Sequence, residues 1–151
     1  MAAIENQKNK TMSMVQKQIN KNAERVAMTA HPSSGTVSNN IIKFDYVTFS
    51  VGITNLATYK STAKFSCDQE GLYMISASVT SQTSSAYYYI YLNGNDISCT
   101  YIGYHIGNYH RTGAVTATRK LNPNDQVWLY AYGSCYLNGG VFSSLTIVKI
   151  K

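Results

Sequence analysis

The side chains best suited to chemistry are Tyr87, Tyr89, His105, Tyr109, His110 and Arg111, rings and bases gathered in the middle of the chain. Aromatic faces pack against the C–H faces of sugars, and imidazole, amide and guanidinium groups meet hydroxyls and carboxylates. The set is therefore suited to binding a glycan, with Arg111 and the histidines able to face an acidic sugar. Tyrosine is also a favoured strand residue, and its amphipathic ring suits a subunit interface just as well.

Bond-making chemistry has little to work with. The 7 acidic residues include no close pair at acid–base spacing, and there is no Gly-x-Ser-x-Gly elbow and no Gly-rich phosphate loop. His31, His105 and His110 are too scattered to suggest a catalytic triad, and with Cys99 they match no zinc motif. Cys67, Cys99 and Cys135 form an odd set whose spacing fits no redox motif; at most one bridge can form within the chain, and all three suit buried apolar positions. The expectation is a binding protein rather than an enzyme, with no catalytic or metal-ligating residues. No cofactor is implied, and nothing in the residues calls for Ca²⁺.

A net charge of +6 over 151 residues divides equally between the first 30 residues and the rest. The bases are scattered rather than drawn into a stripe, which argues against a nucleic-acid partner. No stretch approaches the roughly 18 apolar residues of a membrane span, and no apolar run marks a leader.

These side chains must be positioned by strands. Tyr is abundant at 13 residues and Pro scarce at 2, a composition of sheet rather than of helix or disorder. Residues 4–26 are the exception: free of Gly and Pro, they read as a helix with a weak heptad stripe of Met12, Val15, Ile19 and Val26, broken by Lys8 and Asn22. His31-Pro32-Ser33-Ser34-Gly35 then marks a linker. The domains expected are a helical, coiled-coil-like stalk over 1–30 and a β domain over 31–151. Its strands are expected near 41–51, 61–67, 72–80, 86–93, 96–106, 112–121, 126–134 and 141–150, with no helix between them.

Alternation assigns faces. In Tyr87-Tyr88-Tyr89-Ile90-Tyr91-Leu92, Ile90 and Leu92 should face the core and Tyr87, Tyr89 and Tyr91 the other side. A turn at Gly94-Asn95 would put Leu92 opposite Ile97 and turn Cys99 and Tyr101 inward. Tyr104 and Ile106 then read as core positions of the opposite parity, reached through a bulge at Gly103, with His105, Tyr109 and Arg111 outward.

The run Ile42-Lys43-Phe44-Asp45-Tyr46-Val47, then Tyr59, Lys64-Phe65-Ser66-Cys67 and Gly71-Leu72-Tyr73, resembles the opening of the complement C1q globular domain. Leu121-Asn122-Pro123-Asn124-Asp125-Gln126-Val127-Trp128-Leu129 and Val141-Phe142-Ser143-Ser144-Leu145 are similar to its closing motifs, so the resemblance covers about residues 26–151. Asn124 and Ser144 stand where the family has Gly, and Leu145 where it has Phe. Asn tolerates the positive φ that Gly supplies in a turn. The resemblance implies an all-β, C1q/TNF-like jelly-roll sandwich, a core position for Phe142, a packing role for Trp128, and a homotrimer helped by the N-terminal helix. It also implies a secreted protein and a lectin of the innate-immunity, pattern-recognition type for microbial glycans, like the small invertebrate members. A cytokine-like or adhesive ligand for a protein receptor is the alternative.

Overall fold

The computed structural model describes residues 2–151, apart from the side chains of 21–23. Helix α1 spans Ala2–Ala23, and every described side chain on it is exposed, including those of Met12, Val15 and Ile19. The Asn22 position of the expected stripe lies outside the described side chains. Val26 is not on the helix at all; it is buried in the sandwich.

Ten strands make the body: β1 (Ala27–His31), β2 (Gly35–Ile41), β3 (Tyr46–Val51), β4 (Phe65–Ser66), β5 (Gly71–Ser81), β6 (Ala86–Leu92), β7 (Asn95–Ile102), β8 (Arg111–Leu121), β9 (Gln126–Asn138) and β10 (Ser144–Lys149). All pairings are antiparallel. One layer is β3-β1-β10-β5-β8 and the other is β2-β9-β6-β7, with the short β4 also on β9. The layers meet at a corner where Thr80 and Ser81 of β5 pair with Asn138 and Leu137 of β9. Each strand turns alternate residues inward, so Met28, Ala30, Tyr73, Ile75, Val79, Leu145 and Ile147 of the first layer meet Tyr88, Ile90, Val127, Leu129 and Ala131 of the second.

The sheet begins earlier than the sequence suggests. Ala27–His31 is a strand bonded to both β10 and β3, so the expected stalk boundary at residue 30 and the start of the expected linker fall inside β1. The expected strand at 61–67 is cut down to Phe65–Ser66, and a helix α2 (Leu56–Thr62) stands before it. Its only buried residue is Tyr59, whose hydroxyl donates to the Phe44 carbonyl at 2.7 Å. Asn124 does adopt the left-handed backbone, at φ 74°, in the turn before β9.

Phe142 is a correction. It lies in a single 3₁₀ turn, Gly140–Phe142, and is 65% exposed; the buried side chains of this region are Ser143, Leu145 and Ile147. Leu145 and Ser143 turn inward, so period-two alternation already sets Phe142 on the opposite side, and the 3₁₀ turn holds it there.

Candidate functional site

The outer face of β9-β6-β7 is built by cross-strand register. Tyr87 of β6 lies opposite Tyr132 of β9 on one side and Tyr101 of β7 on the other; Tyr89 lies opposite Tyr130 and Cys99; Tyr91 lies opposite Trp128 and Asp96. Three rows of three outward side chains result, mostly aromatic. Tyr87 and Tyr101 stack with ring centroids 4.6 Å apart, and Tyr91 and Tyr130 with centroids 5.1 Å apart. Tyr87–Tyr89 and Tyr89–Tyr91 contacts at 6.3 and 6.1 Å join the rows, and Tyr91 meets Trp128 edge-on at 6.0 Å. At one end the Lys64 ammonium sits 4.4 Å over the Trp128 ring. Such contacts hold each ring by its neighbours, leaving faces presented rather than mobile.

Tyr87, Tyr89 and Tyr91 are therefore on the outer side, as alternation predicts, while Cys99 and Tyr101 are outward against expectation. The reason is where the strand pair slips. The turn is Asn93-Gly94, with φ of 52° and 86°, so Leu92 pairs with Asn95. The register then shifts between Ile90 and Tyr91: Ile97 is the extra residue, packs on the core, and sends Ser98, Thr100 and Ile102 inward in turn. The face switch happens at Ile97 and not at Gly103, where the strand has already ended.

The face is uncharged apart from Asp96 and Lys64. Partial desolvation, then Cys99, raises the Tyr89 phenol; desolvation, then Tyr130 and Asp96, raises that of Tyr91. Burial raises the Cys99 thiol, against the opposing effect of a hydrogen bond from Tyr89. These groups stay neutral near pH 7, the state in which rings stack on C–H surfaces without a competing ionic shell.

The other expected site residues lie on the loop after β7 and do not join the ring rows. His105 is buried, not outward: its backbone N–H donates to Ser84 Oγ at 2.9 Å, and its ring nitrogens lie 3.2 Å from the Gly103 and Gln82 carbonyls, pinning this loop to the one between β5 and β6. Tyr104 and Ile106, expected in the core, are 75% and 78% exposed. The anchoring of His105 inverts the parity, since its two neighbours must then point away. Tyr109 is exposed, His110 Nδ1 accepts from Asn138 Nδ2 at 2.8 Å, and Arg111 opens β8 as an exposed residue opposite Ser81. No hydrogen bond or ring contact among the described residues links Tyr109, His110 or Arg111 to Tyr87 or Tyr89.

Sequence reasoning missed Tyr101, Tyr130 and Tyr132 as members of the face. The Trp128-x-Tyr130-x-Tyr132 alternation was the available signal, but pairing it with Tyr87–Tyr91 needs the strand order. A cleft of about 360 Å³ runs beside β2, lined by Pro32–Ser38, Asn40–Lys43, Asp45 and Leu137, and none of the expected site residues borders it. Among the described residues no cluster of three His, Cys, Asp or Glu side chains could hold a metal ion, and no helix is long and apolar enough to cross a membrane.

Residues 25–146 match the family model of the C1q domain. No curated protein sequence matches the chain. Among solved structures, Eiger TNF from S. frugiperda is similar with a TM-score of 0.67 at 11% identity, over 85% of this chain and 94% of that one. The globular domain of zebrafish complement 1qA superposes with a TM-score of 0.65 at 12% identity, over 83% and 98%. Murine APRIL, at pH 8.5, gives 0.63 at 9% identity, over 83% and 99%. At such identities the likeness is one of fold.

Proposed function

Because the chain belongs to the C1q domain family, we propose that it is a non-enzymatic, secreted recognition protein that binds glycans on microbial surfaces as a homotrimer, with the tyrosine face of β9-β6-β7 as the contact. The observation that carries this reading is the row Tyr132-Tyr87-Tyr101: three rings on adjacent strands, 61%, 38% and 49% exposed, with Tyr87 held between its neighbours. Rings fixed in advance lose little freedom when a sugar stacks on them. Asp96 and the tyrosine hydroxyls supply acceptors and donors at the margin for sugar hydroxyls.

The homotrimer is supported by the opposite layer. The outward residues of β1, β10, β5 and β8 include Ala27, Thr29, Thr146, Val148, Met74, Ser76, Thr116 and Thr118, none charged; Thr29 pairs with Thr146 and Ser76 with Thr116 at 3.0 Å, and the one cation of β8 on this side, Lys120 at the strand's end, is paired with Glu70. Phe49 and Val51 extend that surface on β3, both exposed. A layer whose centre is uncharged, with most of its hydroxyls paired within the sheet, suits burial against another copy. The exposed apolar residues of α1 suit association of helices in the same assembly.

A glycan array on the intact protein tests the reading, with Tyr87→Ser/Tyr89→Ser as the control variant. Dose-dependent binding that free sugar competes away, and that the variant loses while keeping its fold, is expected. A silent array sinks the glycan reading. The exposed aromatic rings of the same face favour one other reading, a cytokine-like or adhesive ligand for a protein receptor, since Tyr-rich surfaces also suit protein partners.

A further inference from the structure

After β1 the chain leaves the first layer at 32–34, runs along β9 as β2, and returns through 42–45 to β3 in the first layer. This arch borders the cleft of about 360 Å³ beside β2, a volume inside the range of about 300–1,000 Å³ usual for small-ligand sites. Its lining mixes C–H surface, from Pro32, Val37 and Ile41, with hydroxyl, amide and charged groups. Much of that polar chemistry has no partner. The Ser33 and Thr36 hydroxyls, the Asn40 amide N–H groups, the Lys43 ammonium and the Asp45 carboxylate make no hydrogen bond or ion pair among the described residues.

The cleft is continuous with the tyrosine face. Ile41 lies opposite Tyr130 of β9, and Ile42 N–H donates to the Leu129 carbonyl at 2.9 Å, carrying the ladder one residue further. Ile42 and Phe44 are buried, so the exposed Lys43 and Asp45 turn to the other side, the one on which Ile41 and Tyr130 stand. A ligand lying on the rings therefore reaches the cleft along one surface. A peptide strand is a poor occupant. On the open edge of β2 the Asn40 Oδ1 atom already accepts from Ile41 N–H at 2.8 Å, and the left-handed Asn39, at φ 43°, shifts the register, so the edge is capped and kinked where an added strand would have to pair.

The free groups select among ligands by charge and by hydrogen-bond type. Lys43 and Asp45 are the only charged residues lining the cleft, so an anion meets one attraction and one repulsion there, and so does a cation. A neutral hydroxyl meets neither penalty. Because a sugar hydroxyl both donates and accepts, it can donate to the Asp45 carboxylate and accept from Lys43 or Asn40, and bonds to the charged partners are the stronger kind. We propose that the cleft is a second sugar subsite, taking a neutral, hydroxyl-rich residue at the end of the glycan chain whose neighbouring residues stack on the tyrosine rows. The inference rests on the glycan reading of that face and narrows it to neutral oligosaccharides long enough to span both places.

The test is backbone-amide NMR on the full chain, titrated with D-glucose, D-mannose and D-galactose, with short linear oligosaccharides of each, and with an oligogalacturonate as the acidic counterpart. A neutral oligosaccharide should shift amides of 33–45 together with those of 128–132, and should bind more tightly than both its monosaccharide and the acidic chain. Asp45→Asn and Lys43→Met, both at exposed positions, should each weaken that oligosaccharide about tenfold, the loss of one charge-assisted hydrogen bond, while the shifts at 128–132 persist. Shifts confined to 128–132, or an affinity that both variants keep, overturn the subsite and leave the glycan reading of the tyrosine face standing. Shifts confined to 33–45 overturn the tyrosine face and, with it, the claim that one chain spans both. Tighter binding of the oligogalacturonate overturns the neutral assignment, and a protein in which no sugar moves an amide overturns the subsite and the glycan reading together.

Discussion

The Tyr59 hydroxyl reaches from α2 to the Phe44 carbonyl at 2.7 Å, a buried bond joining a helix to the segment before β3. It helps explain why a short helix stands where a strand was expected: this ring is the helix's one fully buried side chain, with Leu56 packing beside it, and burial, with Asp45 adding to it, raises the phenol far above its ordinary range. The bond stays intact across all physiological pH.

Tyr59→Phe should therefore destabilise by about 1–3 kcal/mol, the cost of leaving a buried carbonyl without its donor. Chemical denaturation reads this directly. An unchanged midpoint would mean that water replaces the hydroxyl.

Phe142→Ala should leave stability within about 0.5 kcal/mol of wild type, because the ring is exposed, whereas Leu145→Ala should cost about 2–5 kcal/mol. Paired thermal melts of the two variants check the placement of the chain around the 3₁₀ turn. The reverse order would restore Phe142 to the core.

The strands richest in Tyr and β-branched residues were legible in the sequence: β6, β8 and β9 begin within a residue of expectation, and the outward set Tyr87, Tyr89, Tyr91 follows from alternation. What escaped was set by contacts distant in sequence. Ala27–His31 offers only five residues of strand, and Val26 continues a heptad by accident of spacing, so the strand hides in the end of the helix. Tyr104 and Ile106 look like core residues because apolar type normally implies burial, and only the anchoring of His105 to Gln82 and Ser84 reverses them. The site was half visible for the same reason: Tyr87 and Tyr89 are neighbours in one strand, but their partners Tyr101 and Tyr132 depend on strand order and on the slip at Ile97.

A chain of residues 25–151, without α1, should still sediment as a trimer. Cutting at 31 would instead remove β1 from between β10 and β3 and should unfold the first layer. A monomer of 25–151 at micromolar concentration would assign assembly to the helix.

Asp125 accepts from Asn122 N–H at 2.8 Å and from Asn93 Nδ2 at 2.9 Å, and these bonds lower its carboxyl below the ordinary value. A depressed folded pKa means that the carboxylate contributes stability above about pH 4, which is lost as pH falls through the folded value. Asp125→Asn should lower the melting temperature near neutrality and flatten its decline in acid. A decline of unchanged slope would assign it to other carboxylates.

Lys149 N–H donates to the Val26 carbonyl at 2.8 Å, and the Lys151 carbonyl accepts from Leu72 N–H at 2.7 Å, so the chain enters and leaves the sandwich at one end. That arrangement gives the domain a handle and a free end. Anything attached beyond residue 151, whether a label, a bead or a fused partner, emerges on the side where α1 joins and leaves the 103–110 and 139–143 loops clear. Immobilisation through the C-terminus would thus present those loops to an analyte, with the tether on the far side of the sandwich.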